Sequence, residues 1–469
     1  MGIGFLGRVV GAVVAFVGSV ILARVLGPTD YGAFYLLMSI VAFLDNPVTG
    51  WANACRKRLT EANFPSSEAI GSLLLGIISS SLAVVVLSWF ARAPVAKFVG
   101  DRSIDPWILL SALFVGMIVY KTANEVLKST HQFGASPWLI AGRDLFRVAA
   151  QAILVLVGFG LTGMVGGMVL ANILVAPIVF FFIGVRPQLP SIDTLRSIWA
   201  YARFSIPGGV VGTAQHHMDR ILLGLLVSNA VLAHYEVAIK LTMPAMFVAG
   251  VAQDGLMGRI SNRLSRDEDV TADIRRNVGH ASVIGVPLFF GALVIADPVV
   301  VTLYSSQYAG AGPFLAGLAL FRLLRTQKSI LVAVINGFDR PDDNLRISTA
   351  VFSFNLVAGI GLLFVIGPIG IVVATILSEI IGYAVRARIV KGLVPDATLL
   401  PRPLLDQIVS GVIMAAVVYA GRLIVPLASW KAVMALVAVG GFVYGLSLVT
   451  ISREFRTTAL AVARDAGIN

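Results

Sequence analysis

The chain is a succession of long apolar runs separated by short polar breaks. Between Val20 and Leu37 one run ends at Gly27-Pro28 and the next begins within a few residues, which predicts helix, tight turn, helix. Runs long enough to cross a bilayer as a helix need about 20 mostly apolar residues. About fourteen occur, near 9–26, 31–54, 70–90, 107–127, 137–158, 163–184, 204–226, 231–256, 280–303, 314–335, 347–366, 369–390, 407–425 and 433–451. The expected fold is all-α and polytopic, with two six-helix lobes followed by two C-terminal helices.

The lobes look duplicated. Asp219 to Ala238 repeats the scheme of Val20 to Leu37: Ile221 falls on Ile21, Leu226 on Leu26 and, after one inserted residue, Tyr235 on Phe34. Ala91-Arg92-Ala93-Pro94-Val95 resembles Ile295-Ala296-Asp297-Pro298-Val299, and Thr130 to Gly134 stands beside Asn336 to Arg340. Two halves with one hydropathy order are what alternating access requires, because two bundles must rock about a site. The Pro-containing break from Arg186 to Tyr201 sets the expected boundaries: lobes at 1–190 and 191–395, then a helix pair and cytoplasmic tail at 396–469.

Composition agrees with a bilayer. The 469 residues are 57% hydrophobic and 13% charged, against about 25% charged in soluble domains; mean hydropathy is +0.88. The net charge of +11 would suggest nucleic acid in a soluble protein, but here it is distributed as topology. Loops taken alternately put Arg56, Lys57, Arg58, Arg275, Arg276, Arg386, Arg402, Arg453 and Arg456 on one side, against Arg92, Lys97, Arg102, Arg422 and Lys431 on the other. The positive-inside rule then makes both termini cytoplasmic in a multi-pass protein of the cell membrane, with no nucleic-acid partner. The single cysteine, Cys55, excludes an intramolecular disulfide and any cysteine-cluster metal site, and it is expected at the cytoplasmic end of its helix. Gly158-Phe159-Gly160-Leu161-Thr162-Gly163 fits G-x-G-x-x-G but lacks the strand and βαβ unit that a dinucleotide needs, and no Gly-Lys-Ser/Thr phosphate loop occurs.

Ala23-Arg24-Val25-Leu26-Gly27-Pro28-Thr29-Asp30-Tyr31-Gly32, the Asp219-Arg220-Ile221-Leu222 opening of its copy, and Leu303-Tyr304 followed by Tyr308-Ala309 resemble the polysaccharide transporter family. This is a family of lipid-linked oligosaccharide flippases in the multidrug/oligosaccharidyl-lipid/polysaccharide exporter superfamily. The pattern of twelve core helices plus two is similar, so the resemblance covers almost the whole chain. It departs where the copy has Val227-Ser228 in place of Gly27-Pro28. The resemblance implies paired six-helix bundles around a cationic cavity. It also implies movement of a lipid-diphosphate-linked oligosaccharide from the cytoplasmic to the outer leaflet, for cell-surface glycan assembly. The expected partners are membrane lipid, a polyprenyl-diphosphate-linked glycan and polysaccharide-assembly enzymes, and the chain is expected to be a monomer without enzymatic activity. The alternatives are a multidrug or cation antiporter of the same superfamily and a membrane-embedded glycan polymerase. The antiporter would need an acidic cavity, and the polymerase a larger extramembrane loop.

An ionisable group at a helix centre in hydrocarbon costs at least about 2.5–3.5 kcal/mol, so those present face a cavity or a partner. Arg322, Arg325, Lys328, Lys240, Arg143, Arg147 and Arg24 are therefore candidates for a cationic lumen that would hold a diphosphate, with pairing to Glu125, Asp144 or Glu236 as the structural reading for some. Asp45, beside Asn46-Pro47, together with Asp219 and Glu379 are candidates for holding a coupling ion, Na⁺ or H⁺; no other cofactor is expected. His216 and His217 alone make weak evidence for a metal, and none is expected.

Overall fold

The computed structural model describes residues 2–61, 64–100, 104–127, 136–183, 186–427 and 429–457. The repeat mark Thr130 to Gly134, Arg102 and the tail beyond Thr457 lie outside them. Every regular element described is helical: α1 (Gly2–Leu44), α2 (Asn46–Leu59), α3 (Ser66–Phe90), α4 (Arg92–Val99), α5 (Pro106–Leu127), α6 (Ser136–Leu154), α7 (Gly160–Ile183) and α8 (Ile192–Leu226), then α9 (Asn229–Thr242), α10 (Met246–Leu264), α11 (Thr271–His280), α12 (Gly285–Tyr304), α13 (Gly312–Gly337), α14 (Pro341–Ile366), α15 (Ile369–Leu393), α16 (Arg402–Ile424) and α17 (Trp430–Ile451). By packing, the chain forms two compact units, Met1–Ala233 and His234–Asn469.

Ten candidate membrane spans occur among the described residues, against about fourteen apolar runs in the sequence. Part of the difference is that two of the spans each take in two of the apolar runs. Val13–Leu44 has 32 residues, about 48 Å at 1.5 Å per residue, against a hydrocarbon core of about 30 Å. It is broken at Gly27, whose φ of 74° and ψ of 171° lie outside helical space, a conformation that glycine adopts without a Cβ clash. Ile140–Ile178 has 39 residues and is broken at Gly158 and Gly160, both with positive φ. The rest is that α8 and α13, long enough to cross, carry polar and charged residues in mid-helix and do not count among the ten. The stretch from Arg259 to Asn277 is mostly helix, divided between α10 and α11.

In the first unit the core of α2, α3 and α8 is built from Ala52, Cys55, Ile70, Leu73, Ile198 and Ala202. Cys55 is fully buried, its sulfur 3.5 Å from the Ser72 hydroxyl. Gly32 lets the chain pass the start of α9, since a side chain there would overlap the Asn229 carbonyl oxygen. In the second unit, one core joins α10, α11, α13 and α15 through Leu256, Ile274, Val278, Ile330 and Val390. Another ties α12 to α16 and α17 through Val286, Met414, Val418 and Tyr444.

The paired marks Ala91–Val95 and Ile295–Val299 both sit at helix breaks. Ala91 separates α3 from α4, and Ile295 interrupts α12 at φ −130°, ψ 27°. The reason in α12 is Pro298, which has no N–H to give the carbonyl four residues back. That carbonyl belongs to Val294, and the Arg422 guanidinium of α16 donates to it instead. Arg422, read from the sequence as a topological loop charge, thus fastens the C-terminal helix pair to the broken α12. Arg422→Gln is expected to destabilise the protein by about 1 kcal/mol, because the donor is exposed. In a Pro298→Ala background, where the helix supplies its own donor, the same substitution should cost nearly nothing. A double-mutant cycle of melting temperatures checks this, and additivity would contradict the bond.

Candidate functional site

Charged side chains meet at helix breaks and mid-helix positions within each unit. In the first unit the break lies between α1 and α2. Pro47 deprives the Phe43 carbonyl of its helical donor, and the Asn46 side-chain amide supplies one, at 3.3 Å to Phe43 and 2.9 Å to Ala42. Asn46 is held in turn by the Thr213 hydroxyl of α8, which donates to its Oδ1 at 3.0 Å. His217, one turn further along α8, stands 3.2 Å from the Ser39 hydroxyl.

Asp45 occupies the break itself, 2% exposed. Its carboxylate forms an ion pair with Lys121 of α5 and accepts from the Thr49 hydroxyl at 3.3 Å. Lys121 keeps 41% of its side chain open, so the buried acid is neutralised by a cation that still reaches outward. Three turns along α2, Arg56 pairs with Glu125 at 3.0 Å.

Arg143 on α6 is braced. Its Nε and one terminal nitrogen donate to Asn172 Oδ1 of α7 at 2.9 and 2.6 Å, another terminal nitrogen meets Asp144 at 2.7 Å, and its guanidinium lies 4.4 Å from the centre of the Tyr120 ring. Arg147 shares Asp144 at 3.4 Å. These two cations are occupied by their own unit. Asp219 and Arg220 are both half-buried on α8, where Arg220 donates to the His216 carbonyl at 3.0 Å. Arg24 is exposed in the turn of α1 before Gly27. Both Arg24 and Asp219 have polar contacts of their own.

In the second unit the three cations of α13 divide. Lys328 meets Glu379 of α15 at 2.6 Å, with 18% and 6% of the two side chains exposed. Arg322 and Arg325, three apart on one helical face, both hold their guanidinium carbon 5.5 Å from the centre of the Phe321 ring. No acid among the described residues forms an ion pair with Arg325. Lys240 is half-buried on α9, four residues after the buried Glu236.

Sequence reasoning passed over two residues here. Lys121 stands one turn before Glu125 in the sequence, but its partner lies 76 residues away. Arg386, counted as a loop cation, is 2% exposed and is the largest fully buried side chain. It donates to the Asn344 side chain at 2.9 Å, the Ser348 hydroxyl at 2.8 Å and the Gly382 carbonyl at 3.1 Å. Asn344 donates onward to Asn336 at 2.7 Å and to the Val332 carbonyl at 3.2 Å, which ties α13, α14 and α15 together. The only available signal was that Arg386 falls seven residues after Glu379, two turns along the same face. Among the described residues no three His, Cys, Asp or Glu side chains gather as a metal site would need.

Such an arrangement can hold an anion at an uncommitted guanidinium and a cation or proton at a buried carboxylate.

A model of the polysaccharide biosynthesis protein family matches residues 21–313. The chain is 22% identical over 396 residues to the probable low-salt glycan biosynthesis flippase Agl15 of Haloferax volcanii, covering 83% of this chain and 82% of that protein. It is 23% identical over 455 residues to the probable flippase AglR of the same organism, with 94% of each covered. In fold it is similar to the lipid II flippase MurJ in an inward closed conformation, with a TM-score of 0.81 at 15% identity over 97% of this chain and 99% of that one. It is also similar to an inward-facing multidrug resistance MATE family transporter of the MOP superfamily, with a TM-score of 0.61 at 14% identity over 81% and 95%. The chain therefore has the fold of these two proteins.

Removing one partner of a buried ion pair leaves an uncompensated charge, at a cost of about 3–5 kcal/mol. Lys121→Ala and Lys328→Ala are each expected to destabilise the protein by an amount toward the lower end of that range, since water reaches both lysines. Asp45→Asn and Glu379→Gln should rescue their respective lysine variants but not each other's. Thermal unfolding in detergent of the four single and four double variants checks this, and cross-rescue would refute separate pairs.

Proposed function

The chain belongs to the polysaccharide biosynthesis protein family, and from that premise we propose that it is a flippase that carries a lipid-diphosphate-linked oligosaccharide from the cytoplasmic to the outer leaflet by alternating access. The observation that carries the reading is the disposition of α13. Two arginines share one aromatic ring in mid-helix, and no acid among the described residues forms an ion pair with the Arg325 guanidinium. A forked guanidinium complements a diphosphate with charge-assisted hydrogen bonds. Arg322 is its neighbour in the site, and Lys328 contributes field while bound to Glu379. Arg143, Arg147, Lys240 and Arg24 add positive potential but are secondary, Arg143 and Arg147 because their guanidinium groups are already engaged.

The relatives support this direction. Of the two that match most of the chain, one is named a probable low-salt glycan biosynthesis flippase and the other a probable flippase, and a third, 22% identical, is the succinoglycan biosynthesis transport protein ExoT of Rhizobium meliloti. The protein acts as a transporter and not as an enzyme, as a multi-pass monomer of the cell membrane with both termini cytoplasmic, beside the enzymes that assemble the glycan. Asp45, Asp219 and Glu379 are the carboxylates through which Na⁺ or H⁺ couples. Asp45 and Glu379 are the stronger two, since each is nearly excluded from water and bound to a lysine that must be released when the acid is neutralised.

Arg325→Ala should weaken binding of a polyprenyl-diphosphate glycan in detergent about tenfold, the effect of losing roughly 1.4 kcal/mol, with its melting temperature nearly unchanged. A collapsed melting temperature with intact affinity would overturn the assignment. The buried wild-type thiol makes Cys55 unsuited to topological labelling. The exposed Thr60→Cys, in a Cys55→Ala background, should react with an impermeant maleimide only after the cells are permeabilised; labelling of intact cells would invert the assigned topology.

A further inference from the structure

One end of the second unit gathers exposed cations from three segments that are distant in sequence. α11 is amphipathic: Ile274 and Val278 are buried in the core, and Arg275 and Arg276 are exposed. The start of α16 lies against its last turn, where the Gln407 amide donates to the Gly279 carbonyl and Pro403 packs beside Gly279. This brings the exposed Arg402 to the same end. The segment after α17 closes on it from another side, with the Phe455 ring 4.7 Å from that of His280. Phe455 is flanked by the exposed Arg453 and Arg456.

Of the acids beside α11, Asp273, on the helix itself, is buried and bound by Arg259 at 3.2 Å and Arg263 at 3.1 Å, and Glu268 pairs with Arg263 at 3.7 Å. Asp267 and Asp269 are exposed in the turn before the helix; Asp269 accepts from the Thr271 amide at 3.0 Å and its hydroxyl at 2.7 Å, bonds that hold its carboxyl below the usual range and keep it anionic. Among the described residues after α17, Glu454 is the one acid, against Arg453 and Arg456. Between α11 and α12 the helical pattern gives way to turns at residues 281–284. The result is a short helix with its apolar side in the protein and its arginines outward, at the polar start of the run Thr271–Tyr304.

We propose that this end, with Arg275 and Arg276 at its centre and Arg402, Arg453 and Arg456 around them, is a docking surface for the anionic headgroups of phospholipids in the adjoining leaflet. Each Arg near an anionic membrane surface contributes about 1 kcal/mol, and the bidentate guanidinium suits a phosphodiester. The bound headgroups hold α11 at the interface and steady the break that joins it to α12.

The test uses the full chain in detergent micelles containing trace fluorescent phosphatidylglycerol or phosphatidylcholine, with retention measured by energy transfer from the protein's tryptophans. The wild type should retain phosphatidylglycerol over phosphatidylcholine, with the preference falling as salt rises. The double variant Arg275→Gln/Arg276→Gln should weaken phosphatidylglycerol retention roughly 30-fold, with phosphatidylcholine retention and melting temperature unchanged. Lys431→Gln removes an exposed charge at the opposite end of α17 and should leave the preference intact. Equal retention of the two lipids by the wild type would overturn the proposal, as would an equal loss in Lys431→Gln. So would an absent lipid preference combined with Arg275-dependent binding of a polyglutamate peptide, which would assign the surface to an acidic protein segment.

Discussion

A carbonyl that proline strips of its helical donor, inside a segment water barely reaches, must find another donor or be left unsatisfied at a cost of about 1–3 kcal/mol. The architecture follows from how this chain meets that constraint. At Pro47 the donor is local, the Asn46 side chain, and because an amide has an acceptor to spare it also engages Thr213 of α8. At Pro298 the donor is remote, Arg422 of α16. The first solution builds a polar node within the first unit. The second fixes an appended helix pair to the second.

The break at Pro47 also decides where charge can be buried. Asp45 stands at the break with a helical backbone, and its carboxylate caps no amide of α2, so the desolvation of that carboxylate is met by Lys121. In the second unit the helices α13, α14 and α15 are unbroken around Glu379 and Arg386, and the charge is managed differently. Arg386 is surrounded by neutral acceptors from Asn344, Ser348 and Gly382. Lys328 is thereby left as the direct partner of Glu379.

Fold class followed from run length, and the breaks at Gly27 and Gly158 fall between runs that the sequence separates, whereas 31–54 and 280–303 read as single runs although the chain breaks within them at Asp45 to Pro47 and at Ile295. Partners were illegible because they are set by packing across tens of residues. Lys121 reaches Asp45 over 76 positions, Lys328 reaches Glu379 over 51, and Arg422 reaches Val294 over 128. Counting charges by loop alternation also misassigned the work of Arg386 and Arg422, since a residue near a helix end is as free to turn inward as outward. The duplicated opening is unequal in backbone for a similar reason. Gly27 takes a left-handed φ of 74°, whereas Val227, at φ −118°, closes a separate turn in which the Ser228 hydroxyl accepts from the Val231 amide at 3.3 Å.

The pairing of lysine with acid also constrains how an anion could be held. A diphosphate that drew Lys328 away would leave Glu379 buried and uncompensated, at a cost comparable to the Coulombic gain it brought. The same holds for Lys121 and Asp45. An anion can therefore engage either lysine strongly only when a proton or cation arrives at the matching carboxylate. Arg325 has no such condition, because no acid among the described residues pairs with it and its guanidinium rests near the Phe321 ring, an interaction of about 0.5–1 kcal/mol that a phosphate does not have to displace. The cations of α13 thus differ in kind. Arg325 can bind an anion outright, whereas Lys328 can do so only in linkage with Glu379, and a device that must both grip a charged lipid and release it on a signal needs one of each.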